Sequence, residues 1–260
     1  MRLASPYSLP YAVTYSDGQL MSIGRDVRVE VTLGAAATSA AIDELDALVL
    51  PFQLLASAGA LAGNGIKPWN STILDKDGPF VGGDVVGWTL RSCAVDERGI
   101  VMLAQMLLSA HSAHSIAKVA FTSTVGYLHV ARVTLGVPAA DPFPALARDL
   151  GFPLRREGEV GREVLVQARF DAALTDKTRA AVDAELYSWA SGLLSGAYGI
   201  APLVPDVCTA TVEPVVTYGR QQLTWGFARF SAHPAALDGL TNVFASISER
   251  VARVAELTIE

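Results

Sequence analysis

The chain repeats itself at a fixed offset. Gly24-Arg25-Asp26-Val27-Arg28-Val29 returns as Gly161-Arg162-Glu163-Val164-Leu165-Val166, and Ala35-Ala36-Ala37-Thr38 as Ala172-Ala173-Leu174-Thr175. Asp46-Ala47 matches Asp183-Ala184, Gly59-Ala60 matches Gly196-Ala197, Pro68 matches Pro205, Gly82 matches Gly219 and Trp88 matches Trp225. Every pair is 137 positions apart (161 − 24, 225 − 88), with no gap across that stretch. The pattern reads as an internal duplication, in which two copies should fold alike and pack on each other.

Within the first copy, Val27, Val29, Val31 and Leu33 alternate with Asp26, Arg28, Glu30 and Thr32, as a half-buried strand does. Thr38 or Ser39 then caps a helix carrying Ile42, Leu45, Leu48 and Val49, which ends near the glycines at 63 and 65. Pro51 should kink or divide it. A second strand is expected at Ser71 to Leu74, a turn at Asp75-Lys76-Asp77-Gly78-Pro79, and a hairpin tip at Gly82-Gly83. A third strand should run from about Asp84 to Val95, a helix from Glu97 to Ser115, and a last strand from Ala117 to Phe121.

The second copy repeats the order. Strands are expected at Arg162 to Phe170, Thr209 to Thr217, Leu223 to Phe230 and Ala255 to Ile259, and helices at Thr175 to Gly196 and Pro234 to Val251. Strand, helix, strand, strand, helix, strand is the split βαβ, or ferredoxin-like, arrangement. The expectation is an α+β chain of two βαββαβ copies packed as a pseudo-twofold internal dimer. The alternative is a closed pseudo-dimeric barrel whose two sheets enclose a cavity. Residues 1–136 form the first copy with an N-terminal strand extension (Tyr11 to Tyr15, a turn at Ser16-Asp17-Gly18, then Leu20 to Ile23). Residues 137–260 form the second, after a boundary at 136–141 and a short linker helix opened by Asp141-Pro142 and ended by Gly151. Tyr127 to Leu135 reads as a further strand, and the last strand of each copy as an open edge suited to homodimer pairing.

Composition bounds the function. Of 260 residues 51% are apolar and 18% charged, enough for a packed core and against disorder. A net charge of −6 without a Lys/Arg run argues against nucleic acid and anionic membranes. The longest apolar stretch, 47–63, is interrupted by Pro51 and Gln53 and reads as a buried helix rather than a span. The N-terminus lacks a secretory apolar run, and the two cysteines, Cys93 and Cys208, imply no disulfide framework. A cytoplasmic protein is expected.

No motif assigns a chemistry or a cofactor. The face of the first sheet opposite the valines should carry Arg28, Glu30 and Arg91 close together, because the first and third strands of the split βαβ unit are neighbours. Arg169 lies on the same face of the second copy. An ordinary solvated sheet face shows the same alternation. His111 and His114 stand three apart on the second helix, as metal ligands or a proton relay would, but no third ligand is near in sequence. Histidines at a helix C-terminus also complement its dipole. Cys93 could act as a nucleophile if His129 approached, although a lone strand cysteine is usually a small buried hydrophobe. Trp69-Asn70 has no counterpart in the second copy and suits either ligand recognition or a plug over the sheet end.

Two functions follow. One is a non-catalytic binding or assembly protein using Arg28, Trp69, Asn70 and Arg169, its sheet faces and its long hairpin to meet a protein or small molecule. The other is a small-molecule enzyme with a polar site between the halves, in which Glu30, Arg91 and His114 serve as acid, base and anion anchor.

Overall fold

The computed structural model describes residues 9–15, 25–61, 73, 75–93, 97–125, 128–129, 149–157, 163–199, 215–227, 230 and 232–260. The expected elements at Leu20 to Ile23, at 136–141 and at Asp141-Pro142 lie outside them, and so do most of Tyr127 to Leu135 and of Ser71 to Leu74.

The chain is mixed α/β. Its first half comprises β1 (Ala12–Tyr15), β2 (Arg25–Leu33), α1 (Ser39–Ser57), β3 (Asp75–Gly82), β4 (Val85–Cys93), α2 (Glu97–Met106), α3 (Leu108–His114), β5 (Ile116–Val125) and β6 (Leu128–His129). Its second comprises β7 (Leu154–Arg156), β8 (Val164–Phe170), α4 (Asp176–Leu194), β9 (Val215–Tyr218), β10 (Gln222–Phe227), α5 (Ala235–Arg250) and β11 (Val254–Ile259). One sheet runs β1-β5-β2-β4-β3, with β6 also on β5; the other runs β7-β11-β8-β10-β9.

Local signals recur at the same offset in both halves. Thr38 and Thr175 cap α1 and α4, each accepting the N–H three residues on at 3.2 Å, and each helix spans 19 residues. Leu33 N donates to Asp84 O and Phe170 N to Gln221 O, both at 2.8 Å. Ala37 N donates to Gly83 O and Leu174 N to Arg220 O, both at 2.9 Å. Val29 faces Trp88 across β2 and β4, as Val166 faces Trp225 across β8 and β10. After the second helix the offset becomes 138 (257 − 119), since Val119 faces Val31 and Leu257 faces Ala168. The offset is already 138 at the end of the histidine helix, where Gly34 N donates to Ser115 O and Asp171 N to Arg253 O (253 − 115), so the residues matching His111 and His114 there are Glu249 and Ala252.

Four expectations need correction. The segment Asp75 to Pro79 is strand, part of β3, and not a turn. Gly78 takes φ +112°, where a Cβ would lie 2.8 Å from Gly87 O, and the β3–β4 register shifts between Asp77 and Phe80. Turn-forming Gly-Pro here makes an edge bulge, where proline has no ladder bond to lose. Of the two outcomes expected at Pro51, division does not occur: α1 runs through it, and Ala47, whose carbonyl loses its helical donor, is exposed to water. The helix expected at 97–115 is two, α2 and α3, broken at Leu107. Finally, the last strand of each half is not an edge. β1 pairs parallel with β5, and β7 with β11, so in each half the last strand is covered by a strand from that half's N-terminal segment.

The valines of β2 pack with Trp88 and Leu90, all completely buried, beneath the helices. In the other half Val166 and Ala168 of β8 and Trp225 do the same. α2 is buried from Val101 to Met106, and α5 from Gly239 to Ser248 without interruption. A helix covered all round needs more than one sheet beside it. The second cover is the other half: α1 packs on α4, and Gly239 of α5 lies against Ala60 O. Arg250 at the end of α5 donates to Ser57 O of α1 at 3.2 Å and to Glu185 of α4 at 3.0 Å. The helices thus meet between the sheets, whose other faces point outward. The barrel alternative, with sheets facing each other across a cavity, does not describe this arrangement.

Candidate functional site

The outer face of the first sheet is built by the alternation that buries the valines. Across it, Ala120, Glu30, Gly87 and Phe80 form one row, and Thr122, Arg28, Thr89 and Asp77 the next. Arg28 Nε donates to Glu30 Oε1 at 2.9 Å, a same-strand pair with both partners part-exposed. Arg91 lies between two aspartates. It donates through Nε to Asp77 Oδ2 at 2.6 Å and through Nη1 to Asp26 Oδ2. Those hydrogen bonds, to Asp26 first and Asp77 second, raise the Arg91 pKa above its ordinary value.

Glu30, Arg28 and Arg91 therefore do not form one cluster. Glu30 faces Gly87, four residues and about 13 Å along β4 from Arg91. The β2–β4 register shifts between Arg25 and Val27, and Ser92 takes φ 50° with its N–H donating to Asp26 Oδ1 at 3.0 Å. This irregularity aims Asp26 at Arg91. Phe80 stands 46% exposed at the rim of the face, beside Val81.

The outer face of the second sheet has the opposite arrangement. Glu256 accepts from Arg155 Nε at 2.8 Å and from Arg169 Nη2 at 3.4 Å. Arg169, singled out from the sequence, is 64% exposed and Arg155 67%.

The histidines separate. His114 Nε2 lies 2.7 Å from Glu44 Oε2 of α1, a partner 70 residues earlier in the chain. His111 turns to Tyr11, ring centroids 5.6 Å apart, and its buried Nδ1 has no partner among the described residues. No group of three His, Cys, Asp or Glu residues suited to a metal occurs among the described residues. His114 lines a shallow pocket of about 280 Å³ with Thr38, Ser115 and the Gly34 to Ala36 turn. The counterparts of Glu44 and His114 in the second half are Ala181 and Ala252, so the pair belongs to one half only.

Trp69 and Asn70 lie outside the described residues, and so do the side chains of Cys93 and His129. Sequence reasoning missed Glu44, Phe80, Asp77, the Arg155–Glu256 pair and the Asp46 carboxylate that accepts Trp88 Nε1 at 2.7 Å and pairs with Lys76. Asp46 had a signal, its match to Asp183; the latter accepts Tyr218 Oη at 2.5 Å. Glu44 had none, because its partner is remote.

The chain matches no protein-family model and no curated protein. Among the described residues no helix is long and apolar enough to cross a membrane.

Proposed function

We propose that this chain is a non-catalytic binding or assembly protein, made of two ferredoxin-like copies packed about a pseudo-twofold, that meets its partner through the outer sheet faces and the β3–β4 hairpin. The strand orders β5-β2-β4-β3 and β11-β8-β10-β9 support the architecture, each placing the fourth strand of a copy beside the first and the third beside the second. The observation that carries the function is Phe80. A large aromatic at the rim of an open, ion-paired sheet face costs solubility and is suited to be covered by a partner.

The experiment compares partner capture by the wild-type chain and by Phe80→Asp, with thermal unfolding of both as a control for folding. The reading requires a specific partner that Phe80→Asp loses without a change in Tm. A partner retained by Phe80→Asp but lost by His114→Gln contradicts it.

One observation favours the second reading, a small-molecule enzyme. Glu44 fixes one ring nitrogen of His114, which lines the pocket, the way a carboxylate orients a general base. On that reading His114 keeps its place among the candidate groups, while Glu30 and Arg91 are engaged in separate pairs on the outer face.

A further inference from the structure

Around His114 the first half carries two hydrogen-bonding groups that the second half lacks or uses up. Glu44 Oε2 lies 2.7 Å from His114 Nε2. A carboxylate cannot donate, so in the neutral ring Nε2 carries the proton and Nδ1 the lone pair. Nδ1 has no hydrogen-bond partner among the described residues, which leaves one unused acceptor on the imidazole.

Thr38 supplies the complementary group. As the cap of α1 its Oγ1 accepts from Ala41 N at 3.2 Å, and its own O–H has no acceptor among the described residues. In the second half the matching hydroxyl is engaged, with Thr175 Oγ1 lying 2.8 Å from Thr178 Oγ1. The residue matching Thr178 is Ala41 (178 − 137), which has no hydroxyl to offer.

His114 and Thr38 line one pocket of about 280 Å³, whose walls include the alkyl groups of Leu33, Ala36, Ala41 and Ala113. At the positions matching Gly34, Ala41, His114 and Ser115 the second half carries Asp171, Thr178, Ala252 and Arg253. That half still forms the threonine cap and the backbone bond from Asp171 N to Arg253 O that matches Gly34 N to Ser115 O. Neither the His114–Glu44 pair nor the small lining residues are therefore required by the fold.

An unused donor and an unused acceptor in one alkyl-walled pocket suit a group that does both. A hydroxyl donates and accepts, whereas a carboxylate only accepts and an ammonium only donates. We propose that the pocket binds a small aliphatic alcohol, its oxygen accepting from Thr38 Oγ1 and donating to His114 Nδ1. The volume falls at the small end of ligand pockets, roughly 300–1,000 Å³, so the molecule has few heavy atoms. This rests on the second functional reading in placing a small molecule at His114, and it involves no making or breaking of covalent bonds.

The test uses the full chain with isotope-labelled histidine, and isobutanol and isobutyrate as probes that share a branched alkyl body and differ in the head. Nuclear magnetic resonance is recorded at about pH 8.5, above the range in which imidazoles ordinarily titrate. Isobutanol should shift the His114 ring nitrogens saturably, with a Kd on the order of millimolar, and isobutyrate should not. Glu44→Ala combined with His114→Ala copies the alanine pair of the second half. It should weaken isobutanol binding about tenfold, read by saturation transfer to the probe's methyl groups, with Tm little changed. Ala41→Thr, which gives the Thr38 hydroxyl the partner it has in the second half, should weaken binding as well. A wild type whose His114 is not shifted by isobutanol overturns the proposal, as does isobutanol binding that survives either variant. Preferential binding of isobutyrate overturns the hydroxyl assignment and keeps the small-molecule reading, whereas binding of neither probe counts against both. Partner capture through Phe80 is measured separately and is touched by none of these results.

Discussion

Leu55 packs against Gly192 so closely that a Cβ on Gly192 would lie 3.0 Å from Leu55 Cδ1 and 3.2 Å from Leu55 Cβ. The two positions are 137 apart (192 − 55), the same spacing that relates the repeats. In a symmetric interface a residue meets its own counterpart only at the twofold axis. Under the proposed duplication, the axis passes through this contact between α1 and α4. On that reading the copies would have diverged there into one large and one absent side chain, and the pairing of Leu55 with Gly192 lets the two helices approach closely.

That divergence predicts a change of sign. Gly192→Ala gains about 1 kcal/mol of helix propensity but overpacks a completely buried leucine, at a cost of about 1–3 kcal/mol. In the wild type it should be neutral or destabilising. With Leu55→Ala already present, the same substitution should stabilise, because the methyl fills space the leucine has vacated. Chemical denaturation of the four proteins of the cycle measures both effects.

Trp88 and Trp225 are matched core residues and should respond alike. Trp88→Ala and Trp225→Ala should each destabilise by about 3–5 kcal/mol in urea unfolding. Their polar ends differ: Trp88 Nε1 donates to Asp46, whereas Trp225 Nε1 has no partner among the described residues. Replacement by Phe should therefore cost more at position 88 than at position 225. A near-neutral Trp→Ala effect at either position would mean that its sheet face is turned the other way.

Glu185 gives the seam a pH dependence. Burial raises its pKa, and Arg250 only partly offsets this. The folded protein therefore binds a proton that the unfolded chain has already released, and stability falls as pH rises from the ordinary carboxylate range through the raised folded value. Glu185→Gln should remove that component. Measured from pH 4 to pH 7, roughly the range over which a raised carboxylate titrates, the unfolding free energy of the wild type minus that of the variant should decline as pH rises.

Local chemistry made much of the fold legible. The alternation from Val27 to Leu33 gave β2, and Thr38 and Thr175 marked two helix starts, because strand faces and caps depend on residues a few positions apart. What stayed hidden depends on distant partners. The pairing of β1 with β5 joins segments about a hundred positions apart and leaves no periodic trace. The Gly78-Pro79 bulge carries the same residues as a turn, and only the neighbouring β4 decides between them. In the site, alternation correctly placed Arg28, Glu30 and Arg91 on one face. It could not show the register shift that gives Arg91 to Asp26 and Asp77, nor that His114 would find Glu44.

The most direct measurement is a cross-link at the seam. In a chain carrying Leu55→Cys and Gly192→Cys, oxidation followed by peptide mapping reads whether the two halves meet where their counterparts touch. The short Cβ approach predicts a disulfide joining the peptides of α1 and α4 without dilution-dependent dimers. Two thiols that stay free and open to alkylation in the folded protein would contradict the helix-to-helix packing, and with it the outward-facing sheets on which the proposed binding depends.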